Sequence, residues 1–165
     1  MFKKYKLNKI LFFLPLLTLM FCFNSPKNED EKMQTIMVSV KNTLSYLHYS
    51  PKLINDAYSK DVYVKYFEMV DPAKRYFLQS DMNEFSKHET KLDDYLNQGD
   101  LTFFKLTNSR ILQRVDEIDK MTKDILSKPI NLDEEDVLIL EPKNKKVPTN
   151  QAELYNEWKR YIKYN

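Results

Sequence analysis

Glycine is almost absent from this chain: Gly99 is the only one among its 165 residues. That scarcity excludes a good deal. Phosphate-cradling loops, dinucleotide fingerprints and nucleophile elbows need glycine wherever backbone approaches a ligand closely or takes a positive φ. Hairpin-rich β folds lean on it in their tight turns. Cysteine is equally scarce. Cys22 stands alone, so no intramolecular disulfide can form. The two histidines, His48 and His88, have neither a cysteine nor each other at ligand spacing, which leaves a zinc site without ligands. The acids Asp133, Glu134, Glu135 and Asp136 cluster, but without the spacing and glycine turn of a hard-cation loop; they read as a solvated acidic stretch. An excess of charge is missing too. The formal net charge is +2, and four lysines (Lys3, Lys4, Lys6, Lys9) fall in the first 21 residues, where there is no acid. The remaining body is close to neutral and has no electrostatic footprint for nucleic acid.

Serines stand beside lysines at Ser59-Lys60, Ser86-Lys87 and Ser127-Lys128. Adjacent positions on a helix diverge by about 100° and do not face each other. Nor is there a glycine-rich turn to supply an oxyanion hole. The sequence offers no catalytic constellation, no metal ligand set and no cofactor pattern. What remains is a chain of helices joined by polar turns.

The N-terminus reads as an address. MFKKYKLNK is a positively charged start, and ILFFLPLLTLMFCF (10–23) is an apolar run short for a membrane span and suited to a signal-peptide core. NSPKNEDEK then turns abruptly polar. Residues 1–23 are expected to be a signal peptide or lipoprotein leader, 24–32 a polar tether, and 33–165 a helical domain. The leader implies export to the periplasm, with the membrane touched only through that leader. Cys22 stands where the acylated cysteine of a lipoprotein would be, and is the candidate lipidation site. The bulky Met20-Phe21 before it departs from the small residues a lipobox wants, so leaders with and without lipid both stay open.

In the body, Met33, Ile36, Val40, Leu44 and Leu47 recur at helical spacing, which puts them on one helix face. Pro51 closes that helix. A second helix is expected to be capped by Ser59, with Val62, Tyr66, Met69 and Val70 inside. A third is expected from Ser80, with Met82, Phe85, Leu92 and Leu96 inside and Gly99 at its left-handed end. From Asp100 to Ser127, Leu101, Phe104, Asn108, Ile111, Val115, Ile118, Thr122 and Ile125 make the longest stripe. Residues 129–149 read as an extended, proline-bounded loop whose apolar run, Val137 to Leu140, can add a short strand to something else. Asn150 and Glu153 have capping-box spacing before a last helix lined by Leu154, Trp158 and Ile162. The expected fold class is all-α, a bundle of four to five helices with an extended Pro-rich loop near the C-terminus.

One stretch, DPAKRYFLQSDMNEF (71–85), mixes loop and core signals. Asp71-Pro72 starts a turn, and Tyr76, Phe77 and Leu78 are too apolar to hang in water, so the stretch reads as a helix–helix joint docked on the bundle. Lys74, Arg75, Tyr76, Phe77 and, on the last helix, Trp158 are the candidates for packing or partner contact.

These residues also carry a resemblance. His48-Tyr49, Asp71-Pro72, Lys74, Tyr76-Phe77-Leu78, Ser80-Asp81, Phe85, Phe103-Phe104, Arg110, Arg114 and Trp158-Lys159 occur in an order that resembles the N-terminal domain of the bacterial tail-specific (carboxy-terminal processing) proteases. The resemblance implies a helical domain of a periplasmic serine protease. In such enzymes a PDZ domain takes the substrate tail and a Ser-Lys pair in a later domain cuts. The N-terminal domain helps enclose the chamber and dock partners, including a lipoprotein adaptor. None of the family's catalytic residues has a counterpart here. The implied partners are therefore the PDZ and protease domains, and the chain is expected to be inactive alone. The alternative is an independent secreted helical module that modulates a protease. A further expectation is that part of 137–162, including the apolar face of Trp158, Tyr161 and Ile162, is exposed or loosely packed without those domains.

Overall fold

The computed structural model describes residues 28–133 and 135–165; Cys22 and the leader lie outside the described residues. Within them the chain is all-helical, with six α-helices and no strand. They are α1 (Glu29–Tyr46), α2 (Asp56–Val70), α3 (Gln79–Phe85), α4 (Leu92–Gln98), α5 (Thr102–Leu126) and α6 (Gln151–Tyr164), with a 3-10 turn at Ser86–His88 between α3 and α4. The single third helix expected from Ser80 is thus two short ones. The chain reverses through Glu89–Thr90 before Leu92 restarts the helix, which allows α4 to lie against α1, α2 and α5 rather than continue α3.

Local chemistry sets the ends. Asn28 caps α1 by accepting from the Glu31 N–H at 2.8 Å, and Glu29, Asp30 and Glu31 sit at the positive end of the helix dipole. The helix therefore begins inside the stretch assigned to the tether. Asn55, not Ser59, caps α2, accepting from the Tyr58 N–H at 3.1 Å. Ser59 is buried instead: it donates to Asp93 Oδ1 at 2.5 Å and accepts from the Asp93 N–H at 2.8 Å, pinning α2 to α4. Ser80 is exposed and caps nothing. Leu78 is the N-cap residue of α3, and its N–H donates to the Asp81 carboxylate at 2.9 Å. Gly99 closes α4 at φ +67°, the left-handed conformation expected of it. At α6, Asn150 accepts from the Glu153 N–H at 3.0 Å, while the Glu153 carboxylate reaches the Thr149 N–H at 2.7 Å, one residue before the expected partner.

Two apolar cores meet along α5. The first is aromatic: Tyr63, Phe77, Phe85 and Phe103, with Tyr66, Phe67 and Met82 packed against them. Phe67 stacks on Phe85 at 5.4 Å between centroids and meets Phe77 edge-on at 5.7 Å. The second gathers Leu78, Ile118 and Leu154, with Tyr76, Met121 and Trp158 around them.

The buried face of α5 is rotated from the expected stripe. Phe103, Thr107, Arg114, Ile118 and Ile125 are inside, whereas Phe104 and Val115 are exposed. Hydrophobicity alone picks the wrong neighbours here because two arginines occupy the core-facing line. In α2, Tyr66 and Val70 pack against the first core as expected, Tyr63 and Phe67 join them there, and Met69 lies in solvent. The stripe of α1 does not enter a core at all: the helix buries no residue, and Ile36, Val40, Leu44 and Leu47 are exposed.

Candidate functional site

The joint between α2 and α3 is built on one carboxylate. Asp71 ends α2 and is itself buried; its Oδ1 accepts from the Arg75 N–H at 2.7 Å, and its Oδ2 from the N–H groups of Tyr76 and Phe77 at 3.0 and 3.2 Å. Three backbone donors that neither helix can satisfy are thereby paired. The tight reversal forces Lys74 to φ +48°, a left-handed conformation that a non-glycine residue adopts at a cost of about 1–2 kcal/mol. Phe77 then enters the first core and Leu78 the second, so successive residues of the joint tie the two cores together.

Each of the five candidate contact residues has its place here. Lys74 Nζ donates to the Lys145 carbonyl at 2.8 Å, fastening the joint to the 129–149 loop. The Arg75 guanidinium lies 3.8 Å from the Tyr161 ring centroid, a cation–π contact. Trp158 Nε1 donates to the Arg75 carbonyl at 2.9 Å, and its ring meets Tyr76 edge-on at 6.1 Å. Phe77 is 1% exposed. Lys74, Arg75, Tyr76 and Trp158 thus pack the joint against α6 and the loop, while Phe77 packs into the first core. Of the stretch expected to be exposed or loosely packed, Val137, Ile139 and Leu140 are exposed, and Trp158, Tyr161 and Ile162 are half-buried, Trp158 against the second core.

Behind the joint lies an ion network that sequence reasoning did not single out as a unit. Asp81 is fully buried between the two cores. It binds Arg114 through Nε at 2.8 Å and Nη2 at 2.9 Å, and Arg110 through Nη1. Arg110 also reaches Glu84 at 2.7 Å, and Arg114 reaches Glu117 at 2.6 Å. Gln151 at the start of α6 donates to Glu117 at 2.6 Å, so the network spans α3, α5 and α6. Burial by itself would raise the Asp81 carboxyl. The bonds from Arg114, the Leu78 N–H and Arg110, with the Arg114 charge, outweigh it and hold that carboxyl below its ordinary value. Arg114 is held above its own, chiefly by the bond to Asp81. The signal was present in the sequence as Arg110 and Arg114, four apart on the helical line of Phe103 and Thr107.

Beside the joint is an open cavity of about 360 Å³, walled by Tyr63, Val64, Phe67, Phe77 and Met82 and completed by Pro72, Pro142 and Val147. Glu68, Asp71, Lys74 and Lys143 are its charged lining residues. The Tyr63 hydroxyl is pushed up to about 12 by burial and by the charge of Glu89, so it stays neutral. The recess can take an apolar side chain; it has no paired acid and base. The serines that neighbour lysines are engaged locally: Ser59 with Asp93, Ser86 with the Asn83 carbonyl at 3.0 Å, and Ser127 with the Asp124 carbonyl at 2.8 Å. Among the described residues no group of three or more His, Cys, Asp and Glu is placed to hold a metal ion, and no helix is long and apolar enough to cross a membrane.

Comparison with known proteins adds two findings. The family model described as "Tail specific protease N-terminal domain" matches residues 40–165. A protein of Haemophilus influenzae named "Tail-specific protease" is 27% identical over 137 residues, covering 82% of this chain and 19% of the relative. The chain therefore spans about a fifth of the length of that relative.

Proposed function

The chain belongs to the tail-specific protease N-terminal domain family, and from that membership we propose that it is the non-catalytic helical module of a tail-specific serine protease. The observation that carries this reading is the closed joint. Asp71, Tyr76, Phe77, Asp81 and Trp158 are all paired or packed within the chain. What the fold leaves open is surface: the stripe of α1, the apolar cavity and the 137–140 run. Such a molecule is a scaffold that presents faces to other domains. In this proposal the PDZ and Ser-Lys domains supply recognition and cleavage, and the helical module walls the chamber and docks partners, a lipoprotein adaptor among them. Residues 1–23 export it to the periplasm and anchor it there, through the leader itself or through lipid on Cys22.

A second reading, an independent secreted module that modulates a protease, draws on one observation. α6 completes the second core from within this chain, through Leu154 and Trp158. One experiment separates the two. The purified full chain is mixed with an unstructured peptide, alone and together with the Haemophilus influenzae relative lacking its N-terminal domain and shown to be folded by circular dichroism. The module reading expects no cleavage by the chain alone and a rise in cleavage by the truncated protease. Serine-dependent cleavage by the chain alone would overturn it. A change in the rate of the intact relative, with none in the truncated one, would favour the modulator.

A further inference from the structure

The outward face of α1 carries almost no charge. From Met33 to Leu47 the only charged residue is Lys41, which is half-buried. Ile36, Val40 and Leu47 share one line of the helix and are exposed by 53%, 49% and 79%. Tyr46 beside them, and Tyr49 and Leu53 just past the helix end, are exposed as well. The hydroxyls on this face are already bonded. Thr35, Ser39 and Thr43 donate to the carbonyls of Glu31, Thr35 and Ser39 at 2.7, 2.7 and 2.9 Å. A hydroxyl held in this way keeps its donor inside the helix, so the line it stands on can leave water at little cost. The acids of α1 (Glu29, Asp30 and Glu31) all lie in its first turn, where Glu29 pairs with Lys32 at 4.0 Å and Asp30 with Lys105 of α5.

Resting on the membrane anchor proposed above, we infer that this face lies on the lipid surface beside that anchor. Chain length carries the choice of occupant. The apolar run of the leader ends at Phe23, five residues before Asn28, the N-cap of α1. At no more than about 3.6 Å per residue, a leader or an acylated Cys22 held in the bilayer keeps the start of α1 within about 18 Å of it. A short apolar stripe binds a bilayer weakly by itself, but a tether this short makes the contact intramolecular, and a weak contact is then enough. The side of the molecule agrees. α1 packs on α4, whereas α6, from which the protease domains of the proposed function would follow, packs on α5. Tyrosine and leucine at the far end suit the boundary between headgroups and acyl chains, where an aromatic ring is buried and its hydroxyl stays wet. The acidic first turn, next to the tether, stays in the aqueous layer. Apolar contact rather than attraction to anionic lipid is the driving force.

Depth-dependent quenching tests the contact. The full chain, with its leader and whatever lipid Cys22 carries, is reconstituted into vesicles of phosphatidylethanolamine with a minority of phosphatidylglycerol, part of the lipid bearing brominated acyl chains. Leu47→Trp reports on α1. Leu126→Trp is the control: that residue is also exposed, but it stands at the far end of α5, roughly 30 Å along the helix from the Lys105 that pairs with α1. Trp158 is common to both chains. Brominated lipid is expected to quench Leu47→Trp severalfold more than Leu126→Trp. Adding Ile36→Glu and Val40→Glu to the Leu47→Trp chain should abolish the excess, because charges then stand on the contact line. Both residues are exposed, and circular dichroism checks that the variants stay folded. Flotation of the vesicles reads the anchor separately. A chain that does not float with lipid would refute the anchor and this contact together. A chain that floats, but whose Leu47→Trp is quenched no more than Leu126→Trp or is quenched equally with both glutamates present, would overturn the contact and leave the anchor standing.

Discussion

Asp81→Asn is the sharpest probe of how this fold is held. The side chain is fully buried and keeps its volume in the substitution, so no cavity opens. What changes is charge and donor pattern. The Arg114 side chain, 8% exposed, loses a carboxylate that accepted from both Nε and Nη2, and keeps only Glu117. The new amide turns an NH₂ toward one of the donor groups that had pointed at an oxygen. Breaking a buried ion pair from one side costs about 3–5 kcal/mol, because the surviving charge stays desolvated. For a chain of this size that lowers the melting temperature by roughly 6–20 °C. Arg110→Gln is the internal comparison. The Arg110 side chain is 24% exposed and Asp81 keeps its bonds to Arg114, so about 1–2 kcal/mol is expected. Urea unfolding followed by circular dichroism measures both. The double variant Asp81→Asn, Arg114→Met should cost less than the two single changes added together, since it removes the stranded charge as well. The pH dependence has a definite sign. The folded Asp81 carboxyl lies below its ordinary 3.8, so its contribution is complete above that value and is lost as pH falls through the lower, folded one. An Asp81→Asn cost under about 1 kcal/mol, the level of a surface pair, would refute the claim that this network joins the two cores.

Phe77→Ala removes a ring packed edge-on against Phe67 and Phe85 and should cost about 3–5 kcal/mol in the same unfolding assay, with an unchanged midpoint counting against the docked joint. Gly99→Ala should cost about 1–2 kcal/mol through backbone conformation alone, since the added Cβ would meet Val38 Cγ2 at an ordinary 3.5 Å; Gly99→Asn should cost less, because asparagine tolerates the left-handed region. His88 is held below its ordinary 6.5, first by burial and then by Lys91, so folding should weaken as pH falls through about 6.5. That acid loss should shrink in His88→Gln; an identical pH profile would place His88 outside it.

Several of the residues that carried the family resemblance close the joint. Asp71 pairs three stray N–H groups, Asp81 holds Arg110 and Arg114, and Trp158 bonds the Arg75 carbonyl. Their order was legible in the sequence, and the Asp71 turn is local; the contacts of Asp81 and Trp158 were not legible, because their partners lie 29 to 83 residues away. The cavity was illegible for the same reason, since α2 lends it one wall and the 142–147 turn another.

Glycine scarcity, helical spacing and proline placement determined an all-α chain, the single left-handed close at Gly99, and the near bounds of α5. These are short-range matters: backbone conformation and the 3.6-residue period are written locally. Which face of each helix goes inside was decided only in three dimensions. α1 has the expected stripe, yet none of it is buried within the described residues. α5 turned its Arg114 line inward past Phe104 and Val115 because a buried carboxylate on α3 was there to receive it. A hydrophobic pattern ranks residues by their cost in water; the tertiary fold can reverse that ranking wherever it brings a matched charge into the interior.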